Sequence, residues 1–125
     1  MQHQHNIRVY YEDTDAGGVV YYANYLRFAE RARTEWLRSK GYDQCELWRN
    51  HNTGFVVRNC VIEYHKPAFL DDMLQIATMV IAKTATSITM EQIISRDKQL
   101  ISTIKILLVC VNAEFRPQKM LLNID

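Results

Sequence analysis

The sequence predicts an α+β fold in which five mainly antiparallel strands pack on one long helix. Three features carry that prediction: a short strand-like run near the start, a helix-period apolar repeat after it, and four consecutive runs of period two that fill the rest of the chain. A chain of 125 residues has room for one hydrophobic core, so residues 1–125 are expected to form a single domain.

Residues 7–11 (IRVYY) alternate as a first strand, and residues 13–18 form the turn that ends it. In the next segment Tyr22, Tyr25, Leu26, Ala29, Ala32, Trp36 and Leu37 recur at spacings of three and four, which predicts a helix with one buried face. Arg27, Glu30, Arg31, Arg38 and Lys40 fill its solvated side, and Gly41 supplies a stop. Residues 43–53 are polar but hold Trp48, which suits a loop or short helix over the edge of a cavity. After Gly54 the period changes to two, and residues 55–64, 73–83, 87–95 and 100–112 read as strands bounded by turn residues, with Pro67 and Pro117 outside them. One helix covers one face of such a sheet. The remaining apolar parity, including Ile101, Leu107, Val109 and Val111, is expected to find cover in a second subunit.

The bulk numbers exclude several classes of function. A formal charge of +1, from 15 Lys+Arg against 14 Asp+Glu, offers a polyanion no broad attraction, so nucleic acid is not an expected partner. No apolar run approaches the ~20 residues of a membrane span, and the opening MQHQH resembles neither a signal nor a basic targeting segment, so the expected location is cytoplasmic. Cys45, Cys60 and Cys110 are widely spaced and odd in number, which argues against a disulfide framework or a zinc knuckle. Cys60 and Cys110 sit in apolar strand-like runs, as small core residues do.

The segment YEDTDAGGVVYYANY at positions 11–25 concentrates the chemistry. It sets Asp15 on a glycine-broken loop a few residues before the long helix. The first turn of a helix leaves backbone N–H groups unpartnered, so that end can hold developing negative charge such as the oxyanion of a thioester under attack. The same end favours the ionised form of Asp15, as a nucleophile or a base that activates water requires. Gly17 and Gly18 permit positive φ and the close approach of a bulky ligand. A carboxylate paired with backbone donors calls for neither metal nor redox cofactor, and none is expected. Local sequence alone leaves open that Asp13 or Asp15 merely stabilises a turn. Glu12, Asp13 and Asp15 make a poor metal set, because no histidine neighbours them and strand alternation turns adjacent side chains to opposite faces. His3 and His5 have metal-like spacing but sit in a terminus expected to fray, while His51 and His65 are expected at the surface.

The same segment, followed by ERARTE at 30–35, resembles the hotdog-fold acyl-CoA thioesterases. Within them it is most similar to the YbgC branch linked to the Tol-Pal cell-envelope system, and it is similar also to the 4-hydroxybenzoyl-CoA thioesterases. FVVR at 55–58, EY at 63–64, PA at 67–68 and LDDML at 70–74 extend the likeness over nearly the whole chain. The resemblance implies a hotdog fold with the sheet wrapped around the helix, active sites between the subunits of a homodimer or homotetramer, and an acyl-CoA substrate. It implies Asp15 as the catalytic carboxylate and the main-chain N–H of Tyr22, at the helix start, as the donor that polarises the thioester carbonyl. Tyr22 departs from the His usual in the YbgC branch and matches the aromatic residue of the 4-hydroxybenzoyl-CoA branch. A backbone donor survives that change, while the hydroxyl offers a further donor or the ring packs on the apolar helix face. Val20 and Tyr25 join Gly17 and Gly18 in the expected substrate-binding set. Coenzyme A phosphates call for Lys or Arg, and Arg58, Lys83, Arg116 and Lys119 are the candidates. The rival expectation is a non-catalytic acyl-binding or protein-interaction module, because fold alone does not fix function.

Overall fold

Side-chain alternation dominates the second half of the chain, and the computed structural model, which describes residues 2–124, turns it into long strands. The elements are β1 (His3–Arg8), a 3-10 turn (Tyr11–Asp13), α1 (Asn24–Ser39), α2 (Gln44–His51), β2 (Gly54–Tyr64), β3 (Met73–Lys83), β4 (Ser87–Arg96) and β5 (Gln99–Val111). They form one sheet in the order β1-β3-β4-β5-β2 with every neighbouring pair antiparallel. Along β4 the buried positions are Ile88, Met90, Gln92 and Ile94, every second residue, as a strand with one core face requires. This is the expected hotdog arrangement of a sheet around a helix.

Helix α1 buries Tyr25, Phe28, Ala29, Ala32, Trp36 and Leu37 against that face. Its first half packs with β1, β3 and β4 through Ile7, Leu74, Ile76 and Ile94, and its second half packs with Ile88, Met90, Ile106 and Leu108. Phe28 is fully buried, which stabilises the fold by about 1.5–3 kcal/mol. The helix stops at Gly41, whose φ of +92° suits glycine; the Gly41 N–H donates to Arg38 C=O at 2.9 Å and the Tyr42 N–H to Leu37 C=O at 3.2 Å. Helix α2 begins where Asp43 Oδ1 accepts the Cys45 N–H at 2.8 Å and the Glu46 N–H at 3.2 Å.

Several sequence expectations need correction. The first strand lies at His3–Arg8 rather than 7–11, because residues 11–13 tighten into the 3-10 turn and the preceding segment pairs with β3. His3 and His5 are therefore held in a strand, with partners Thr78 and Ile76, rather than frayed; Met1 lies outside the described residues. Cys60 is exposed because β2 is an outer strand of the sheet, whereas Cys110 is buried as expected. Leu26 is exposed, and Tyr22 lies before α1 with its ring exposed rather than on the buried helix face. Ile101, Val109 and Val111 are already buried within one chain, so the surface that lacks cover is instead on β2, where Val56, Val57 and Val61 are exposed.

Gln92 and Arg33 are among the buried polar side chains. Gln92 donates from Nε2 to Ala29 C=O at 2.9 Å and to Thr78 Oγ1 at 3.1 Å, and its Oε1 accepts from Arg33 at 2.9 Å. Arg33 is buried on α1 and also pairs with Glu30. The network ties helix to sheet and satisfies a cation that burial would otherwise penalise. Gln92→Ala should therefore lower unfolding free energy by about 2–4 kcal/mol, because it leaves a cavity and an unmatched Arg33 donor. Urea denaturation checks this value, and a change below about 0.5 kcal/mol would show the network to be dispensable.

Candidate active site

Residues 13–22 fold into a loop closed on itself by backbone bonds. The Asp15 N–H donates to Val19 C=O at 2.9 Å, the Gly18 N–H to Asp15 C=O at 3.0 Å, and the Tyr21 N–H to Asp13 C=O at 2.9 Å. Gly18 takes φ of +81°, the left-handed conformation that completes so short a reversal. Thr14 pairs with Val20 across the loop, and Val19 pairs with Phe69 of the segment before β3.

The two aspartates do different work. Asp13 is buried, its Oδ2 accepts the Tyr10 N–H at 2.8 Å, and its carbonyl also accepts from Asn24 Nδ2 at 2.9 Å. One residue thus joins the 3-10 turn, the returning strand and the first residue of α1. Asp15 is exposed at the loop tip, where Oδ1 accepts the Gly17 N–H at 2.8 Å. That bond orients the exposed carboxylate. The turn-stabilising role that the sequence left open for either aspartate falls mainly to Asp13.

At the start of α1, Tyr21 C=O accepts the Asn24 N–H at 2.8 Å. A trans peptide plane points its C=O and N–H in opposite directions, so the Tyr22 N–H faces away from the helix, and it meets no acceptor among the described residues. Tyr22 C=O in turn accepts the Tyr64 hydroxyl at 3.1 Å. Burial raises the Tyr64 phenol above its usual range, with Tyr22 adding to the effect, so this hydroxyl stays a donor. The Tyr22 ring meets Tyr21 at 4.9 Å and Tyr64 at 6.2 Å between centroids. An exposed carboxylate and an unmatched backbone N–H on one loop are the kinds of group that attack on a carbonyl carbon calls for, a base or nucleophile and an oxyanion donor.

The other expected site residues divide sharply. Gly17 and Gly18 belong to the loop. Val20 and Tyr25 lie in the core, 4% exposed each, so their side chains support the loop rather than line a pocket. The Tyr25 hydroxyl oxygen accepts the Ala68 N–H at 3.2 Å, and burial raises this phenol too. Lys83 ends β3 at the opposite end from Met73, about 30 Å along the strand. Arg58 occupies the bulge between Val57 and Asn59 on β2, across the sheet from β1. One protomer therefore brings neither cation to Asp15. Sequence reasoning offered Asp13 only as one of two possible turn stabilisers, and missed Tyr64 as the residue that fixes Tyr22 and Asn24 at the helix start. Asparagine beside the first apolar residue of a helix was the available signal for Asn24. Tyr64 lies 42 residues from Tyr22, and no local pattern joins them. Among the described residues, no three His, Cys, Asp or Glu side chains are grouped to hold a metal ion.

A family model described as thioesterase-like superfamily matches residues 9–121. The chain is 48% identical over 107 residues to the acyl-CoA thioester hydrolase YbgC of Escherichia coli, covering 85% of this chain and 79% of that one. It is 44% identical over 106 residues to the acyl-CoA thioesterase YbgC of Haemophilus influenzae, covering 85% and 78%. Its fold is similar to the crystal structure of a probable thioesterase from Bartonella henselae, with a TM-score of 0.93 and 35% identity over 96% of this chain and 99% of that one.

If Asp13 is the hub of the loop, Asp13→Ala should cost about 1–3 kcal/mol, the penalty for stranding a buried N–H, and should lower activity although Asp15 is intact. Thermal unfolding and a rate assay on the same preparation check both effects. Unchanged values would show that the loop holds itself without this carboxylate.

Proposed function

The chain belongs to the thioesterase-like superfamily, and from that premise we infer that it is an acyl-CoA thioester hydrolase in which Asp15 acts as nucleophile or general base and the Tyr22 N–H as the oxyanion donor. The reaction adds water to the thioester carbonyl, breaks the C–S bond and releases free acid and coenzyme A. What supports the residue assignment is the shared loop: Asp15 is exposed on it, and the peptide plane at its end turns an unmatched N–H outward. Gly17 contributes through its N–H to the Asp15 carboxylate, and Gly18 through the turn itself. The chain acts as one domain in this account.

We also propose that the working unit is a homodimer or larger. Strand β2 lies at the outside of the sheet with Val56, Val57 and Val61 at 37%, 51% and 54% exposure. An apolar outer strand with unpaired backbone groups favours pairing with another copy. Arg58 and Lys83 would meet coenzyme A phosphates only from such a neighbour. The cytoplasm is the proposed location; the unbridged Cys45, Cys60 and Cys110 suit a reducing compartment, and no helix among the described residues is long and apolar enough to cross a membrane.

Asp15→Asn should keep the fold and lower kcat by at least ~100-fold, the lower end of what a general base contributes. Tyr22→Phe should change kcat by less than ~10-fold, because the main-chain donor survives it. Steady-state kinetics with circular dichroism checks the pair; a large loss confined to Tyr22→Phe would move the donor role to the hydroxyl. Light scattering at micromolar concentration should give at least twice the 14.7 kDa chain mass. A monomer would contradict the shared assembly.

A further inference from the structure

Two peptide planes meet at Tyr22, and each is tied at its carbonyl. The first contains Tyr21 C=O and the Tyr22 N–H, and its carbonyl accepts the Asn24 N–H at 2.8 Å. The second begins with Tyr22 C=O, which accepts the Tyr64 hydroxyl at 3.1 Å. A carbonyl at the start of a regular helix would take the N–H four residues on, but here the Leu26 N–H donates to Ala23 C=O at 3.2 Å. Tyr22 C=O is met instead by a side chain from the last position of β2, 42 residues away. The soft torsions joining the two planes are φ and ψ of Tyr22, so holding the second plane limits how far the first can turn, and with it the Tyr22 N–H.

Stability does not explain this bond. The Tyr64 side chain is exposed, so water offers its hydroxyl another partner and the bond adds little to folding. The residue is also held without the hydroxyl. Its ring stands edge-on to the buried Tyr25 at 5.6 Å and to Tyr22 at 6.2 Å between centroids. Its backbone pairs with Ser102 of β5, whose Oγ donates to the neighbouring Glu63 C=O at 2.8 Å. Ring and strand therefore keep their place in a phenylalanine variant, and the hydroxyl is the separable part.

We propose that the Tyr64 hydroxyl is a positioning group for thioester hydrolysis: by holding Tyr22 C=O it sets the direction of the Tyr22 N–H toward the oxyanion, without itself touching the reacting atoms. The proposal rests on the Tyr22 N–H as oxyanion donor. Aim matters because such a donor works at about 2.7–3.1 Å from the place where the negative charge develops, and a misplacement of about 1 Å can cost ~100-fold. The charge is present in the transition state and not in the bound substrate, so the loss on removing the hydroxyl belongs to kcat rather than KM.

The test measures kcat and KM for the wild type and Tyr64→Phe, with the fastest substrate among butyryl-, dodecanoyl- and benzoyl-CoA, and the carbonyl stretch of the same thioester bound to Asp15→Asn with and without Tyr64→Phe, by isotope-edited infrared spectroscopy. Tyr64→Phe should keep its circular dichroism, lower kcat ~10-fold or more and leave KM within about 3-fold. The same loss should appear in a Tyr22→Phe background, since the tie is to the main chain. The bound carbonyl should absorb at lower frequency than the free thioester, and Tyr64→Phe should shrink that shift. A kcat within about 2-fold of wild type, a loss that falls on KM, or a loss absent from the Tyr22→Phe background overturns the proposal. If the carbonyl shift is present and indifferent to Tyr64→Phe, the donor assignment stands and the positioning role fails. If Asp15→Asn shows no shift with Tyr64 intact, or the wild type is inert toward all three substrates, the donor reading fails and the proposal falls with it.

Discussion

The structure depends most on the buried Asp13. Its carboxylate holds the Tyr10 N–H, and its carbonyl takes both the Tyr21 N–H and the Asn24 side chain, so the end of the first strand, the returning loop and the helix start meet at one residue. Backbone groups in so tight a reversal cannot all pair with each other, and a short acidic side chain supplies the missing acceptor. With Asp13 occupied in this way, Asp15 is left exposed two residues on. One aspartate builds the loop and the next is presented by it.

The sheet extends that order to the helix. Gln92 and Thr78 sit at core-facing strand positions where apolar residues would pack, yet they meet the Ala29 carbonyl and Arg33 of α1. A polar link of this kind fixes how the helix lies on the sheet more tightly than apolar contacts alone, since those tolerate sliding. From the segment before β3, Ala68 C=O accepts the Val20 N–H at 2.8 Å and the Ala68 N–H donates to the Tyr25 hydroxyl at 3.2 Å. Arg96 steadies that segment through Asp72 at 2.6 Å and Pro67 C=O at 3.2 Å. The site loop is therefore braced from β4 as well as by its own bonds.

Much of this was legible in the sequence because the signals are periodic. Strands β3, β4 and β5 follow the alternation to within a residue or two, and α1 follows its apolar repeat from Tyr25 to Leu37 and stops at the glycine. Periodicity fails where a third element intervenes. Val20 reads as a loop residue beside glycines but is buried because Ala68 and Phe69 close over it. Cys60 reads as core but is exposed because β2 has a neighbour on one side only. Arg33 stood outside the sequence reading of the helix faces, and it is buried where Gln92, 59 residues away, receives it. In the loop, the family resemblance pointed to Asp15 and local pattern allowed Asp13 a turn-stabilising role, whereas the hold of Tyr64 on Tyr22, 42 residues away, is a long-range fact that local pattern does not carry.

The central proposal is geometric: one loop would present the Asp15 carboxylate and the Tyr22 N–H to the same thioester. A crystal structure of the Asp15→Asn enzyme with an intact acyl-CoA tests it most directly. The thioester oxygen should lie about 2.7–3.1 Å from the Tyr22 nitrogen, with the side chain at position 15 about 3–3.5 Å from the carbonyl carbon or from a water beside it. A bound thioester held elsewhere, with the Tyr22 N–H left to solvent, would contradict the account.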